Sequence, residues 1–117
     1  MAAATVLMMV RDLMLRSRIE GAATALGVVT VPAATIAIAR ARAEEHHPAI
    51  IFVDLSDGHF PLADARREMR AAAPAARLVG FASHVDMKAF KAAREAGFDR
   101  VLSRSEFVTR LPELLRD

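Results

Sequence analysis

Several short apolar runs in this sequence end in a residue that could do chemistry. Ala49-Ile50-Ile51-Phe52-Val53 runs without a break into Asp54, and Val6-Leu7-Met8-Met9-Val10 runs into Arg11-Asp12. Arg77-Leu78-Val79-Gly80-Phe81-Ala82 leads to Ser83-His84, and Val101-Leu102 leads to Ser103-Arg104-Ser105. Carboxylates, guanidinium groups, hydroxyls and an imidazole make a set suited to a charged pocket, provided one fold gathers them. An acid at the carboxyl end of a buried strand sits where open α/β sheets bind ligands. The stretch after Asp54, Leu55-Ser56-Asp57-Gly58-His59-Phe60-Pro61, is short, polar and turn-like. Asp54 therefore either anchors a pocket or closes a turn and caps the next helix. Asp12 divides the same way between pocket acid and helix N-cap, and Arg104 between a carboxylate's partner and a solvated surface residue. Ser105 is read as the cap of the last helix. His84 is either a rim residue titrating near neutral pH or, by default, a surface loop residue. His46, His47 and His59 are too scattered for a metal site.

The elements that must position these groups follow from periodicity. The run into Asp54 is rich in β-branched residues and apolar throughout, which suits a strand buried on both faces of a parallel sheet. Strands are also expected at Val6–Val10, Val28–Val31, Arg77–Ala82 and Val101–Leu102. Helices are expected between them. Leu13–Leu26 carries Ile19, Ala22, Ala23 and Leu26 as its buried stripe, with Gly27 at the C-terminal position. Ala34–Glu45 ends at His46-His47-Pro48, because the residue before proline avoids the helical region. Leu62–Ala73 has Pro61 at its start and Leu62, Ala65, Met69 and Ala72 on one side. Asp86–Ala96 has Asp86 as N-cap and Gly97 as its stop. Glu106–Arg116 should kink or split at Pro112. Alternating strands and helices of this kind imply a parallel sheet with right-handed crossovers and helices on both faces. The expectation is a flavodoxin-like (βα)5 three-layer sandwich of strand order 2-1-3-4-5, which collects the ends of strands one, three, four and five around one pocket.

Composition bounds the function. At 117 residues and 54% hydrophobic, the chain suits one globular domain spanning residues 1–117. No apolar run is long enough to span a membrane, and the apolar N-terminus lacks a basic flank, so it reads as a strand rather than a signal peptide. There is no cysteine, which excludes disulfides and thiolate metal sites and fits a cytoplasmic protein. Net charge is +2 with both signs interleaved on the helices, and the six aromatics are all Phe. That composition argues against a nucleic-acid partner. No glycine-rich phosphate loop follows strand one. Met8, Met9 and Met69 read as core filler.

With these motifs in place, the chain resembles a response-regulator receiver domain over essentially its full length. Val10-Arg11-Asp12 resembles that family's acidic pair, and Phe52-Val53-Asp54-Leu55 its phosphoacceptor strand. Glu95-Ala96-Gly97-Phe98-Asp99 resembles the Ala-Gly-Ala-Asp run before its strand five, and Val101-Leu102-Ser103-Arg104-Ser105 the strand that carries its lysine and the following proline. The resemblance implies a site of four parts: acids holding one Mg²⁺, an Asp that accepts a phosphoryl group, a hydroxyl after strand four, and a lysine on strand five. Asp54 matches the acceptor and Asp12 one metal-binding acid, so Asp12 and Asp54 are the metal candidates. Arg11 replaces the second acid, Ala82 falls on the hydroxyl position with Ser83 one residue late, and Arg104 replaces the lysine. The expected pocket is thus Arg11, Asp12, Asp54, Ser56, Ala82, Ser83 and Arg104, an atypical receiver pocket. A permanent cation where a divalent ion would sit leaves Mg²⁺ weak or absent, with Arg11 or Arg104 neutralising Asp12 and Asp54 instead.

The function expected is a receiver-like signalling module of two-component type that works by protein–protein interaction. It needs no cofactor and performs no enzymatic reaction. Its partner would be a histidine kinase or a downstream effector, with a homodimer as the other outlet, since no effector domain follows. The partner surface is expected on helix four, at Met87, Phe90, Lys91 and Arg94, although Met87 and Phe90 could equally be core. The alternative is a working phosphoacceptor, with Asp54 phosphorylated by a sensor kinase and Asp12 with the Ser56 carbonyl holding Mg²⁺. A third class, a small flavodoxin-like enzyme or nucleotide-binding domain, has no convincing catalytic dyad behind it.

Overall fold

Strand and helix segments alternate along the chain in the computed structural model, which describes residues 4–83 and 86–116. The order is β1 (Thr5–Met9), α1 (Leu13–Ala25), β2 (Val29–Pro32), α2 (Ile36–His46), β3 (Ile50–Asp54) and α3 (Leu62–Ala72). It continues with β4 (Arg77–Ala82), α4 (Met87–Ala96), β5 (Arg100–Ser103), α5 (Arg104–Thr109) and α6 (Leu111–Arg116). The strands form one five-stranded parallel sheet of order β2-β1-β3-β4-β5, as expected. Among the described residues no helix is long and apolar enough to cross a membrane.

Alternation of side chains along each strand builds two cores. Leu7, Met9, Ile51, Val53 and Leu78 face one side, where Ala39 and Ala43 of α2, Ala65 and Met69 of α3 and Ala93 of α4 cover them. Val6, Met8, Phe52, Val79 and Phe81 face the other, against Leu15 and Ile19 of α1, Phe107 of α5 and Leu114 of α6. All of β3 is buried, which accounts for its unbroken apolar run. On the second side Phe107 is the keystone. Its ring stacks on Phe81 at 4.2 Å between centroids and meets Phe52 edge-on at 4.8 Å. Gly80 of β4 is a close-approach glycine, since a Cβ there would come within 2.7 Å of Leu55 and 3.0 Å of Phe98.

Chain ends of the helices follow local chemistry. Thr35 caps α2, and His47 closes it in the left-handed region (φ 48°) just before Pro48. Asp86 caps α4 and Gly97 stops it at φ 94°. The C-terminal segment is split rather than merely bent. α5 ends at Thr109, α6 starts at Leu111, and Pro112 falls in the first turn of α6, where its missing N–H costs nothing. The cap of α5 is Ser103, not Ser105. Ser103 Oγ accepts the Glu106 amide at 3.2 Å while Glu106 Oε1 accepts the Ser103 amide, a capping box that Ser105 has no acid to form.

At the amino end of β4 and β5, Arg70 of α3 and Asp99 tie the α3–β4 and α4–β5 connections together. Arg70 donates to the carbonyls of Ala76 and Gly97 and to Asp99 Oδ2, each at 3.0 Å. Asp99 Oδ2 also accepts the Leu78 amide at 2.7 Å. Burial pushes the Asp99 carboxyl up, but the Leu78 amide and Arg70 outweigh it and hold the group below the usual carboxylate range.

Candidate functional site

Parallel register brings the chemistry-bearing residues to one edge. Met9 pairs with Val53, Asp54 with Phe81, and Ala82 with Ser103. The segments leaving β1, β3, β4 and β5 therefore start side by side. A cavity of about 560 Å³ opens among them, lined by Arg11, Asp54, Ser56, Asp57, Gly58, His59 and Arg104. A second cavity of about 490 Å³ lies on the other side of Arg104, against Ser83, Ser105, Val108 and Thr109.

Asp54 is the buried acid of the site, at 6% exposure. Its Oδ1 accepts the Ser56 amide at 3.0 Å, and its Oδ2 faces Arg104 Nη1 at 4.0 Å. Burial pushes its carboxyl up, and the Ser56 amide and Arg104 only partly offset this. Asp54 thus closes the turn through Oδ1 and also lines the cavity. Asp12 is the N-cap of α1 and pairs with Arg104 from outside the lining of that cavity. Its Oδ1 accepts the Met14 and Leu15 amides at 3.0 and 3.1 Å, and its Oδ2 takes Arg104 Nη2 at 2.5 Å. The Leu15 amide first and Arg104 second hold its carboxyl below the usual range.

Arg104 is thus the cation shared by the two acids, and it is fixed there because it is the first residue of α5, directly after β5. Arg11 lines the same cavity but turns away from Asp12 and Asp54. Its Nη1 lies 2.6 Å from His59 Nδ1 and 3.9 Å from Asp57 Oδ2. The physical reason is availability: Asp12 already has both oxygens engaged, whereas Asp57 in the loop after β3 has only its Oδ1 taken by His59 and leaves Oδ2 to Arg11. Ala82 is buried at the end of β4. Ser83 is exposed, and its amide donates to Ser56 Oγ at 3.2 Å. Ser56 thereby links the two loops. The expectation for His84 lies outside the described residues.

Asp57 and His59 are cavity residues that sequence reasoning passed over. Asp57 Oδ1 accepts the His59 amide at 2.9 Å and lies 2.8 Å from His59 Nδ1. Burial pushes Asp57 up, yet the His59 amide and ring and the Arg11 charge bring it below the usual range. The signal was present: an acid and a histidine two residues apart, three residues after a strand-end acid. A divalent cation wants several free oxygens converging on one point, and several of the carboxylate oxygens here are already engaged. Asp12 is spent on two amides and a guanidinium, Asp54 on an amide with a guanidinium opposite, and Asp57 on His59. Among the described residues no group of three or more His, Cys, Asp or Glu side chains converges as a metal site would require.

The chain has the CheY-like fold, the fold of response-regulator receiver domains, with the cleft at the carboxyl edge of the sheet. Among solved structures it is similar to a response regulator from Thermotoga maritima, with TM-score 0.82, 18% identity, and 98% of this chain and 96% of that chain covered. It is equally similar to the receiver domain of a sensor histidine kinase from Pseudomonas aeruginosa, a structure with magnesium coordinated in its active-site cleft (TM-score 0.82, 19% identity, 98% and 96% covered). An orphan response regulator of H. pylori matches at TM-score 0.78 and 14% identity, with 97% of each chain covered. No family model matches the chain, and no curated protein matches it in sequence.

Proposed function

We propose that this protein is a receiver-type module of two-component signalling that works by binding a partner protein, with a cleft closed by its own ion pairs instead of by Mg²⁺. The observation that carries this is Arg104, 2.5 Å from Asp12 and 4.0 Å from Asp54. A tethered guanidinium sits between the two acids that a metal ion would have to bridge, so Mg²⁺ must compete with a charge that is always present. The partner is a histidine kinase or a downstream effector, and the face offered to it is α4. There Met87 is 69% exposed, Phe90 is half-buried, Lys91 and Arg94 are exposed, and Ala93 alone is buried.

Amide NMR during titration with Mg²⁺ and beryllofluoride tests this. Millimolar Mg²⁺ is expected to leave the amides of residues 12, 54 and 83 unshifted, and Arg104→Ala to make them respond. Saturable shifts in the unaltered protein, lost in Asp54→Ala, would sink the metal-free cleft. They would favour the second reading, a phosphoacceptor at Asp54. One observation already speaks for that alternative: Asp54 lines the cavity of about 560 Å³.

A further inference from the structure

The Nδ1 atom of His59 has two neighbours that require opposite things of it. Arg11 Nη1 lies 2.6 Å away and Asp57 Oδ1 lies 2.8 Å away. A guanidinium nitrogen only donates and a carboxylate oxygen only accepts. A bare Nδ1 accepts from Arg11 but turns its lone pair on the carboxylate. A protonated Nδ1 donates to Asp57 but meets the guanidinium N–H head-on. One ring nitrogen cannot serve both.

The two partners are not equally free to leave. Asp57 Oδ1 is pinned by the His59 amide at 2.9 Å, two residues away along the same turn. Arg11 reaches across from the end of β1 on a long side chain that is 43% exposed, and its other neighbour, Asp57 Oδ2, is 3.9 Å away. Protonation therefore strengthens the contact that stays and breaks the one that can move. The charged groups around the same cavity are Arg11, Asp54, Asp57 and Arg104, with Asp12 behind Arg104. Imidazole is the side chain that changes charge between about pH 5 and 8.

We propose that His59 is a proton-operated gate on the cleft: as imidazolium it keeps Asp57 and releases Arg11, whose guanidinium turns into the cavity beside Asp54 and favours binding of a tetrahedral oxyanion. As the neutral ring it holds Arg11 against the wall. The gate goes beyond the function proposed above and operates whether or not Asp54 accepts a phosphoryl group.

Sulfate is the probe, because it stays doubly charged throughout this pH range and needs no Mg²⁺. Its affinity for the full chain is measured at pH 8 and pH 5.5, with the His59 ring signals followed in the same samples. We expect binding to tighten by about threefold or more from pH 8 to pH 5.5, the size of effect one added charge gives in a partly solvated cleft. His59→Gln should bind sulfate equally at both values. Arg11→Gln should match the unaltered protein at pH 8 and gain clearly less at pH 5.5. Both side chains are about half-exposed, at 43% and 55%, so the fold survives either change, which a thermal melt verifies. No tightening in the unaltered protein overturns the gate. So does an undiminished gain in His59→Gln, which would make Asp54 the titrating group, or in Arg11→Gln, which would leave the imidazolium charge acting alone.

Discussion

Asp54 is buried with one amide bond and a guanidinium only at 4.0 Å, so its charge is poorly compensated and its folded carboxyl titrates above the ordinary value. The sign follows from linkage: the native state binds the proton more readily than the unfolded chain, so stability falls as pH rises through the folded value. At pH 7 the ionised Asp54 is a net cost. Asp54→Asn keeps an acceptor for the Ser56 amide and removes the charge. It is expected to raise Tm at pH 7, with the gain vanishing below the unfolded carboxylate range near pH 3.8. Thermal melts of both proteins across pH check this, and a lower Tm at pH 7 would mean that Arg104 compensates Asp54 better than the distance implies. Residue identities alone reached Asp54, Asp12 and Arg104 as a charged set. They could not say which arginine takes which acid, because Arg11 and Arg104 both reach the cleft and the choice depends on oxygens already engaged by amides. Asp57 and His59 were passed over because turn residues read as connection when only type is visible.

At the scale of elements, α5 is six residues long and would not persist by itself. Two things hold it: the Ser103–Glu106 box at its start and Phe107 in its middle, wedged between Phe52 and Phe81. Phe107→Ala removes a fully buried ring and is expected to cost about 3–5 kcal/mol, read as a lower midpoint in urea. A loss below about 1 kcal/mol would mean that α5 repacks without it. Because Arg104 opens the same short helix, one turn before Phe107, this variant should also disturb the Asp12 pairing. The strands with unbroken apolar runs, β1, β3 and β4, were legible to within a residue or two. β5 was read two residues short, since Arg100 and Ser103 are polar and a run of Val101-Leu102 alone shows no period. Ser105 was mistaken for the cap because its relation to Glu106 looks adequate until the acid three residues after Ser103 is weighed.

For the molecule as a whole, the Arg70–Asp99 clamp joins the end of α3, the start of β4 and the α4–β5 connection at the edge away from the cleft. Its carboxyl titrates below the ordinary range when folded. The clamp's contribution is therefore complete above the unfolded carboxylate range and is lost as pH falls through the lower, folded value. Asp99 is 42% exposed, so solvent screening holds the expected loss in Asp99→Asn to about 1 kcal/mol at pH 7, and denaturant curves for the two proteins should converge as pH is lowered through that window. Curves that stay parallel would assign the loss to packing instead of charge. The outer strands of the sheet, β2 and β5, are each only four residues long, and β2 closes on a proline. An edge so short and so interrupted offers another chain almost no ladder to extend. Strand addition by a second copy would thus gain few main-chain hydrogen bonds at either edge.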